Sequence, residues 1–468
     1  MSVTLTAPLA WTTASGDDAA MLAELQPNIV KAHVRESLAV LLLRFEDATE
    51  GAAFLSALAP LMKSAATHLD EVAQFKASGT EGSVYVGVGL TAAGYAALEI
   101  PTMPSDPSFL RGMRHPQSRQ TLADPPVSVW EEPYREELHA VVLIGDQTDA
   151  STSTTREAVL ALMPDSVVVV GEETGSGQRN GNGDGIEHFG YVDGRSQPLF
   201  LVEDIERERN TTDGTSVWDP AFALDRVLVP DPASPDPSAC FGSYFVFRKL
   251  EQNVRRFKTV EERLAESLGL EGEDAERAGA LIVGRFEDGT PVTLQAEGGA
   301  IHPVPNDFDY DSDPEGAKCP FHAHIRKTNP RGSGGFEPVA SERDHLMARR
   351  GQTYGERADD PNDGAVPVES RPTGGVGLLF MAFNTSIGAQ FDFTQQVWAD
   401  NPGFPKVPAG TAAPGLDVVI GQGARGPQTF PTEWGGDAAQ AADPLAQAVR
   451  MRGGEYFFMP SLAFLRSL

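Results

Sequence analysis

Short runs of consecutive apolar residues alternate along this chain with longer stretches in which apolar positions recur three or four apart, the pattern of strands separated by amphipathic helices. Ser37–Phe45 (SLAVLLLRF) predicts a buried strand, 51–69 an alanine-rich helix, 83–90 (SVYVGVGL) a strand, and 91–99 a helix opened by a threonine cap. The cycle repeats with a strand at 138–145 (LHAVVLIG), a helix at 154–163 and a strand at 166–171 (SVVVVG). Four strands with two or three intervening helices predict an α+β fold, a largely antiparallel sheet with helices on one face.

The run PDPASPDPS (230–238) reads as a linker, because repeated prolines cannot enter a sheet interior. Beyond it the pattern restarts with a strand at 243–247 (SYFVF), helices at 250–268 and 272–281, a strand at 377–383 (GLLFMAF), a helix at 389–398 and a last strand at 456–459. The echo of the first half suggests a duplicated architecture, although no residue-level repeat accompanies it. Residues 284–375 hold little regular pattern and many turn formers, and so long a loop region inside a folded protein is usually functional.

Composition narrows the classes. With 468 residues, two domains or one large compound domain are expected, and 47 glycines with 35 prolines point to long ordered loops around a scaffold. The net charge of −29 argues against nucleic acid or an anionic membrane as partner, since both need a positive footprint. Two cysteines, Cys240 and Cys319, are too few for a disulfide framework, a cysteine-ligated iron–sulfur cluster or a four-thiolate zinc site. Residues 1–18 carry no basic start with an apolar run and no twin arginine, and no apolar stretch approaches the roughly 18 residues that span a bilayer, so a cytoplasmic location is expected.

Three of the nine histidines, His322, His324 and His345, fall close together. On residue type alone they are either a zinc or iron site completed by an aspartate, or solvated loop histidines. Asp193 lies between glycines in GYVDG, which either uncovers a carboxylate to a closely approaching ligand or simply closes an Asp-Gly turn. Arg349 and Arg350 either face water and the abundant acids, or one points into a cavity and stabilises a developing anion.

The segments EHFGYVDGRSQP, GRFEDGTPV, CPFHAHIRKTNPR, ARRGQTYG, GLLFMAFN with QFDFTQQVWADNPGF, and RGGEYFFMPS occur in that order. Together they resemble the dye-decolourising peroxidases, specifically the longer-chain branch of that haem family, over about 26–461. The resemblance implies two ferredoxin-like halves, 20–229 with the distal Gly-x-x-Asp-Gly motif and 239–468 holding most of one haem b. It implies that His324 ligates the iron, that Asp193 is the distal acid, that Arg349 is the distal arginine with Arg350 as fallback, and that Asp392 hydrogen-bonds the ligating histidine. Gly194, Ser196 and Gln197 match the distal motif. Arg195 stands where many relatives have an aliphatic residue and is a candidate for a haem propionate. Arg326 is either another propionate contact or a plain salt bridge. Leu379, Phe380 and Phe383 either line the haem slot or pack as sheet core, and Tyr354 and Trp398 either relay electrons or pack.

These assignments imply an enzyme that reduces hydrogen peroxide and oxidises aromatic reductants, dyes and phenols, in one-electron steps, as a monomer or dimer with no nucleic acid or membrane partner. Two other readings accompany it: a haem-handling protein that strips iron from porphyrin, and a non-haem enzyme using the three histidines. A carboxylic acid of ordinary acidity titrates near about 3.9, so a carboxylate proton shuttle implies turnover fastest in mildly acidic buffer.

Overall fold

A computed structural model describes residues 3–33, 36–211, 213–299, 301–364 and 366–468. Its strands are β1 (Ser37–Phe45), β2 (Tyr85–Leu90), β3 (Ala140–Asp146), β4 (Val167–Ser176), β5 (Val229–Pro230), β6 (Phe241–Gln252), β7 (Ala348–Arg349), β8 (Gln352–Tyr354), β9 (Gly377–Asn384), β10 (Gln428–Pro431), β11 (Ala439–Ala442) and β12 (Val449–Met459). The apolar runs become the buried central strands: β1 has eight of nine residues buried, and β2 is buried throughout. Such runs have no solvent-facing side, as expected where both faces of a sheet are covered.

The main sheet runs β4-β1-β3-β2-β12-β6-β9-β7, with antiparallel pairing between the neighbouring strands. Taken by their order in the chain, the four strands of the first half lie fourth, first, third, second. The four of the second half, β6, β7, β9 and β12, lie in that same spatial order. The duplicated architecture is therefore real at the level of topology. The halves meet where Phe458 pairs with Leu90, and one hydrophobic cluster runs through both, from Leu38 and Val142 to Phe245 and Phe457.

The sheet curls until its ends meet. Thr353 donates its hydroxyl to the Ser176 carbonyl across the gap between β4 and β8. A Cβ on Gly175 would lie 2.6 Å from the Gln352 side chain and 3.1 Å from the Thr353 carbonyl, so the edges approach this closely only because glycine stands there. The result is an α+β barrel built of antiparallel strands with helices outside.

Three local expectations change. The helix expected over 51–69 is two helices, Ala48–Leu58 capped by Asp47 and Ala65–Ser78 capped by Ser64, with Pro60 in the 3₁₀ turn between them. The segment 230–238 is not a free linker: β5 pairs with β6, and the buried Asp231 carboxylate accepts from the Ser461 amide and hydroxyl at 2.8 Å. The helix over 389–398 is π-helical, with Asp392 N–H bonded to Ile387 O and Asp400 N–H to Gln395 O, five residues apart. Residues 284–375 are largely irregular, as expected, with only short helices and β7 and β8 among the described residues.

Candidate active site

A cavity of about 410 Å³ opens between the outer face of the second half-sheet and the long irregular segment, and His324, Asp193 and Arg349 all line it. His324 begins the short helix His324–Thr328. Its Nδ1 donates to Asp417 Oδ2 at 2.9 Å, and the other oxygen of Asp417 accepts from the Val419 and Ile420 amides, both at 2.8 Å. Burial opposes a charge on the imidazole, but the Asp417 carboxylate outweighs it and the His324 pKa is raised. On Asp417 burial is likewise overcome, by His324 and the Ile420 amide, and its pKa is lowered. With Nδ1 taken, Nε2 faces the cavity and has no hydrogen-bond partner among the described residues.

The Gly-x-x-Asp-Gly turn lines the same cavity. Asp193 Oδ1 accepts from the Gly194 amide at 2.6 Å, and Gly194 has a φ of +79° with open space where a Cβ would lie, so the turn needs glycine for its backbone and not for packing. Arg349 lies on β7, opposite Ala382 of β9. Its amide donates to Gln197 Oε1 at 3.0 Å and its guanidinium to the Arg195 carbonyl at 3.2 Å. Burial lowers the Arg349 pKa while Asp193 works against that, and the Asp193 charge also reaches His324, so the three side chains share one electrostatic site. Arg350, the fallback, also lines the cavity, but its guanidinium donates to the carbonyls of Asn28 and Arg349, both at 2.9 Å.

At one end of the cavity three guanidiniums gather. Arg195 donates to Glu208 at 2.6 Å and to the Val304 carbonyl. Arg285 and Arg331 are buried, bind carbonyls, Ser196 and Asn306, and have no ion-paired carboxylate among the described residues. Burial and mutual repulsion push Arg285 down to about 9, and burial pulls Arg331 down to about 10. Two buried cations with no direct ion pair among the described residues, and only the more distant charge of Asp213 on both, form a site suited to the carboxylates of a ligand. Phe380 and Phe391, with rings 5.8 Å apart, supply apolar wall.

Several expected residues lie elsewhere. Asp392 is not the partner of His324: it accepts from Ser108 Oγ at 2.6 Å and Tyr456 Oη at 2.8 Å, and Asp417 holds the imidazole instead. Arg326 makes the plain salt bridge, to Asp313 at 2.9 Å, sealed between the Tyr310 and Phe321 rings. Leu379 and Phe383 are fully buried sheet core, on alternate positions from Phe380. Tyr354 and Trp398 are both buried. His322 is buried edge-on against Phe430, which pushes its pKa down to about 3 by desolvation, and His345 stacks on Phe393 at 3.5 Å. His345 lines the same cavity as His324, but His322 is set apart against Phe430, and no group of three potential ligands gathers among the described residues.

Comparison with known proteins decides the family. The profile of the DyP dimeric alpha+beta barrel domain matches residues 24–178. The Multifunctional dye peroxidase DyP2 of Amycolatopsis sp. is 62% identical, over 100% of both chains. The chain belongs to the dye-decolourising peroxidase family. The solved structure of that Amycolatopsis protein matches with a TM-score of 0.98 over 100% of both chains. A DyP-type peroxidase of Anabaena sp., 36% identical, gives 0.90 over 98% of this chain and 97% of its own. Peroxidases of this family depend on haem, and the donor set described above fits one: a single imidazole nitrogen presented to the cavity, apolar walls, and two buried cations without a direct ion pair among the described residues. Among the described residues no helix is long and apolar enough to cross a membrane.

Sequence reasoning missed Asp417, Arg285 and Arg331 in this peroxidase. Arg285 and Arg331 stand inside two of the quoted segments, GRFEDGTPV and CPFHAHIRKTNPR, so position within a motif was a usable signal. Asp417 lies 93 residues from His324 in a loop without pattern, and nothing local marks it.

Proposed function

We propose that this enzyme holds one haem b in the cavity, with His324 Nε2 on the iron, reduces hydrogen peroxide there, and oxidises aromatic reductants one electron at a time. The observation that carries the reading is that a fixed imidazole, an aspartate and an arginine line one cavity and share one electrostatic site. When bound, haem b supplies the iron that takes up peroxide and the two oxidising equivalents left by its reduction.

The residues of this chain do the rest. Asp417 fixes the tautomer of His324, so that Nε2 presents its lone pair, and the carboxylate makes the imidazole more electron-donating. Asp193 Oδ1 is occupied by the Gly194 amide, which leaves Oδ2 to take the proton from one peroxide oxygen and return it to the departing one. Arg349, always protonated and anchored through Arg195 and Gln197, stabilises the negative charge growing on the leaving oxygen. Arg285 and Arg331 would pair with the propionates.

An absorption spectrum of the purified protein, before and after one equivalent of peroxide, tests this. A Soret band that shifts with peroxide is expected, and His324→Ala is expected to lose the band. A wild-type protein without a Soret band after haem reconstitution would sink the proposal. Release of iron-free porphyrin on anaerobic incubation would favour the haem-handling reading instead.

A further inference from the structure

The part of the cavity wall that carries Arg331 rests on two segments far apart in the chain, 213–218 from the first half and 306–308 from the second, and a carboxylate of each fastens the other. Asp213 accepts from the Asn306 amide at 3.0 Å and the Asp307 amide at 2.8 Å. Asp307 in return accepts from the Ser216, Val217 and Trp218 amides, at 2.9, 2.7 and 2.7 Å, and from the Ser216 hydroxyl. Six hydrogen bonds thus make one clasp of two loops.

The clasp brings a ring from each loop to the same cation. The Arg331 guanidinium carbon stands 4.6 Å from the centre of the Trp218 ring and 4.0 Å from that of Phe308. Its N–H groups are spent on the Asn306 and Phe308 carbonyls, on Asn306 Oδ1 at 2.7 Å and on Ser196 Oγ at 2.9 Å. No carboxylate pairs with it directly among the described residues, and the charges of Asp213 and Asp307 reach it only from further off. Aromatic faces therefore supply the negative charge in contact with this buried cation, and indole has the strongest such face. The backbone of Arg331 is held at a φ of +50° and that of Ser196 at +64°, left-handed conformations that persist in residues other than glycine where the surroundings over-determine them.

The two rings are not equivalent. Phe308 lines the cavity and also lies 5.3 Å from Arg285, so it meets a ligand and serves two guanidiniums. Trp218 is buried outside the cavity lining. Its other cationic neighbour, Arg343 at 5.2 Å, has a nearer ring in Phe222 at 4.1 Å and donates to the Asp219 and Ala221 carbonyls. Trp218 can thus reach the cavity only through Arg331.

We propose that Trp218 is a positioning residue for haem: its indole holds the Arg331 guanidinium at the cavity wall, ready to pair with a propionate. This deepens the haem reading given above and rests on it. The first half of the chain then contributes to cofactor retention through Trp218, beyond supplying Asp193 to the peroxide chemistry.

The test follows transfer of haem from the loaded enzyme to apomyoglobin by absorption. Trp218→Leu is expected to speed haem loss about three- to tenfold, the range of one desolvated cation–π contact, with Trp218→Phe, which keeps a ring, between it and the wild type. In an Arg331→Ala background Trp218→Leu should add nothing. With haem dimethyl ester, whose propionates carry no charge, Trp218→Leu and the wild type should lose the cofactor at the same rate. Tetrafluorotryptophan at position 218 keeps the shape of the indole while draining charge from its face, so it should speed haem loss even if Trp218→Leu folds poorly. Wild-type retention in the fluorinated protein, or an undiminished effect of Trp218→Leu in the Arg331→Ala background or with the ester, would each overturn the proposal and leave Trp218 a packing residue. Failure of the haem reading would show differently, as a wild type that takes up no haem, and would take the proposal with it.

Discussion

The two walls of the first cavity differ in how their polar atoms are spent. On the His324 side, Asp417 uses both oxygens and the imidazole uses Nδ1, so that only Nε2 is left open. On the Asp193 side, Asp193 engages one oxygen with its own neighbour, and Arg349 is tied to the Arg195 carbonyl by one nitrogen. The closed wall comes from the second half of the chain alone, whereas the open wall draws Asp193 from the first half and Arg349 from the second. A ligand to a metal must be held in one tautomer and one orientation, which a saturated network does. A proton shuttle needs an acceptor with an unoccupied lone pair and room for the substrate, which saturation would deny it.

The contrast breaks most visibly on the open wall. Asp193→Asn and Arg349→Leu should each lower kcat for peroxide about 10²–10⁴-fold, with the Soret band retained, as stopped-flow mixing with peroxide would measure. Near-normal rates in both would mean that the open wall is not the reacting one. On the closed wall, Asp417→Asn should cost less, about 10–100-fold in activity or haem affinity, because the imidazole keeps a hydrogen-bond partner but loses the anion. Next in size, Arg285→Ala and Arg331→Ala should each weaken haem retention by roughly tenfold, read by haem transfer to a competing apoprotein, since each removes one buried cation.

The smallest effect is on stability. Asp400, behind the closed wall, accepts from Gln395 and the Gln422 amide, and its other oxygen is buried without a partner. Burial pushes its pKa up to about 7. The folded state keeps this proton where the unfolded chain, titrating near about 3.9, has lost it. The group therefore contributes stability at low pH that is lost as pH rises from about 4 through about 7. Asp400→Asn removes that loss, so denaturant melts at pH 5 and pH 8 should show the variant gaining on the wild type at the higher pH, on the order of 2 kcal/mol. A constant difference between the two pH values would refute the assignment.

Much of this was legible in the sequence, for identifiable reasons. β1, β2 and β3 are continuous apolar runs, and burial on both faces leaves such runs little other option. Asp193, His324 and Arg349 were left open by residue type alone, and their convergence was implied by the resemblance of the short segments that hold them to those of the dye-decolourising peroxidases. Asp392 was misread because a position matched by resemblance in a helix-like segment carries no information about which face a π-helical turn presents. Its side chain turns to Tyr456 and Ser108 instead.

By itself the sequence determined the strands and their alternation with helices, because these depend on periodicity within a few residues, while its resemblance to a known family implied the three residues of the cavity. Only the tertiary structure decided that Asp417 closes on His324, that Arg285 and Arg331 crowd together without a direct ion pair among the described residues, and that parting of β2 from β12 leaves a second cavity against Tyr456. Those features join residues tens to hundreds of positions apart, and their energies depend on burial, which no local pattern encodes.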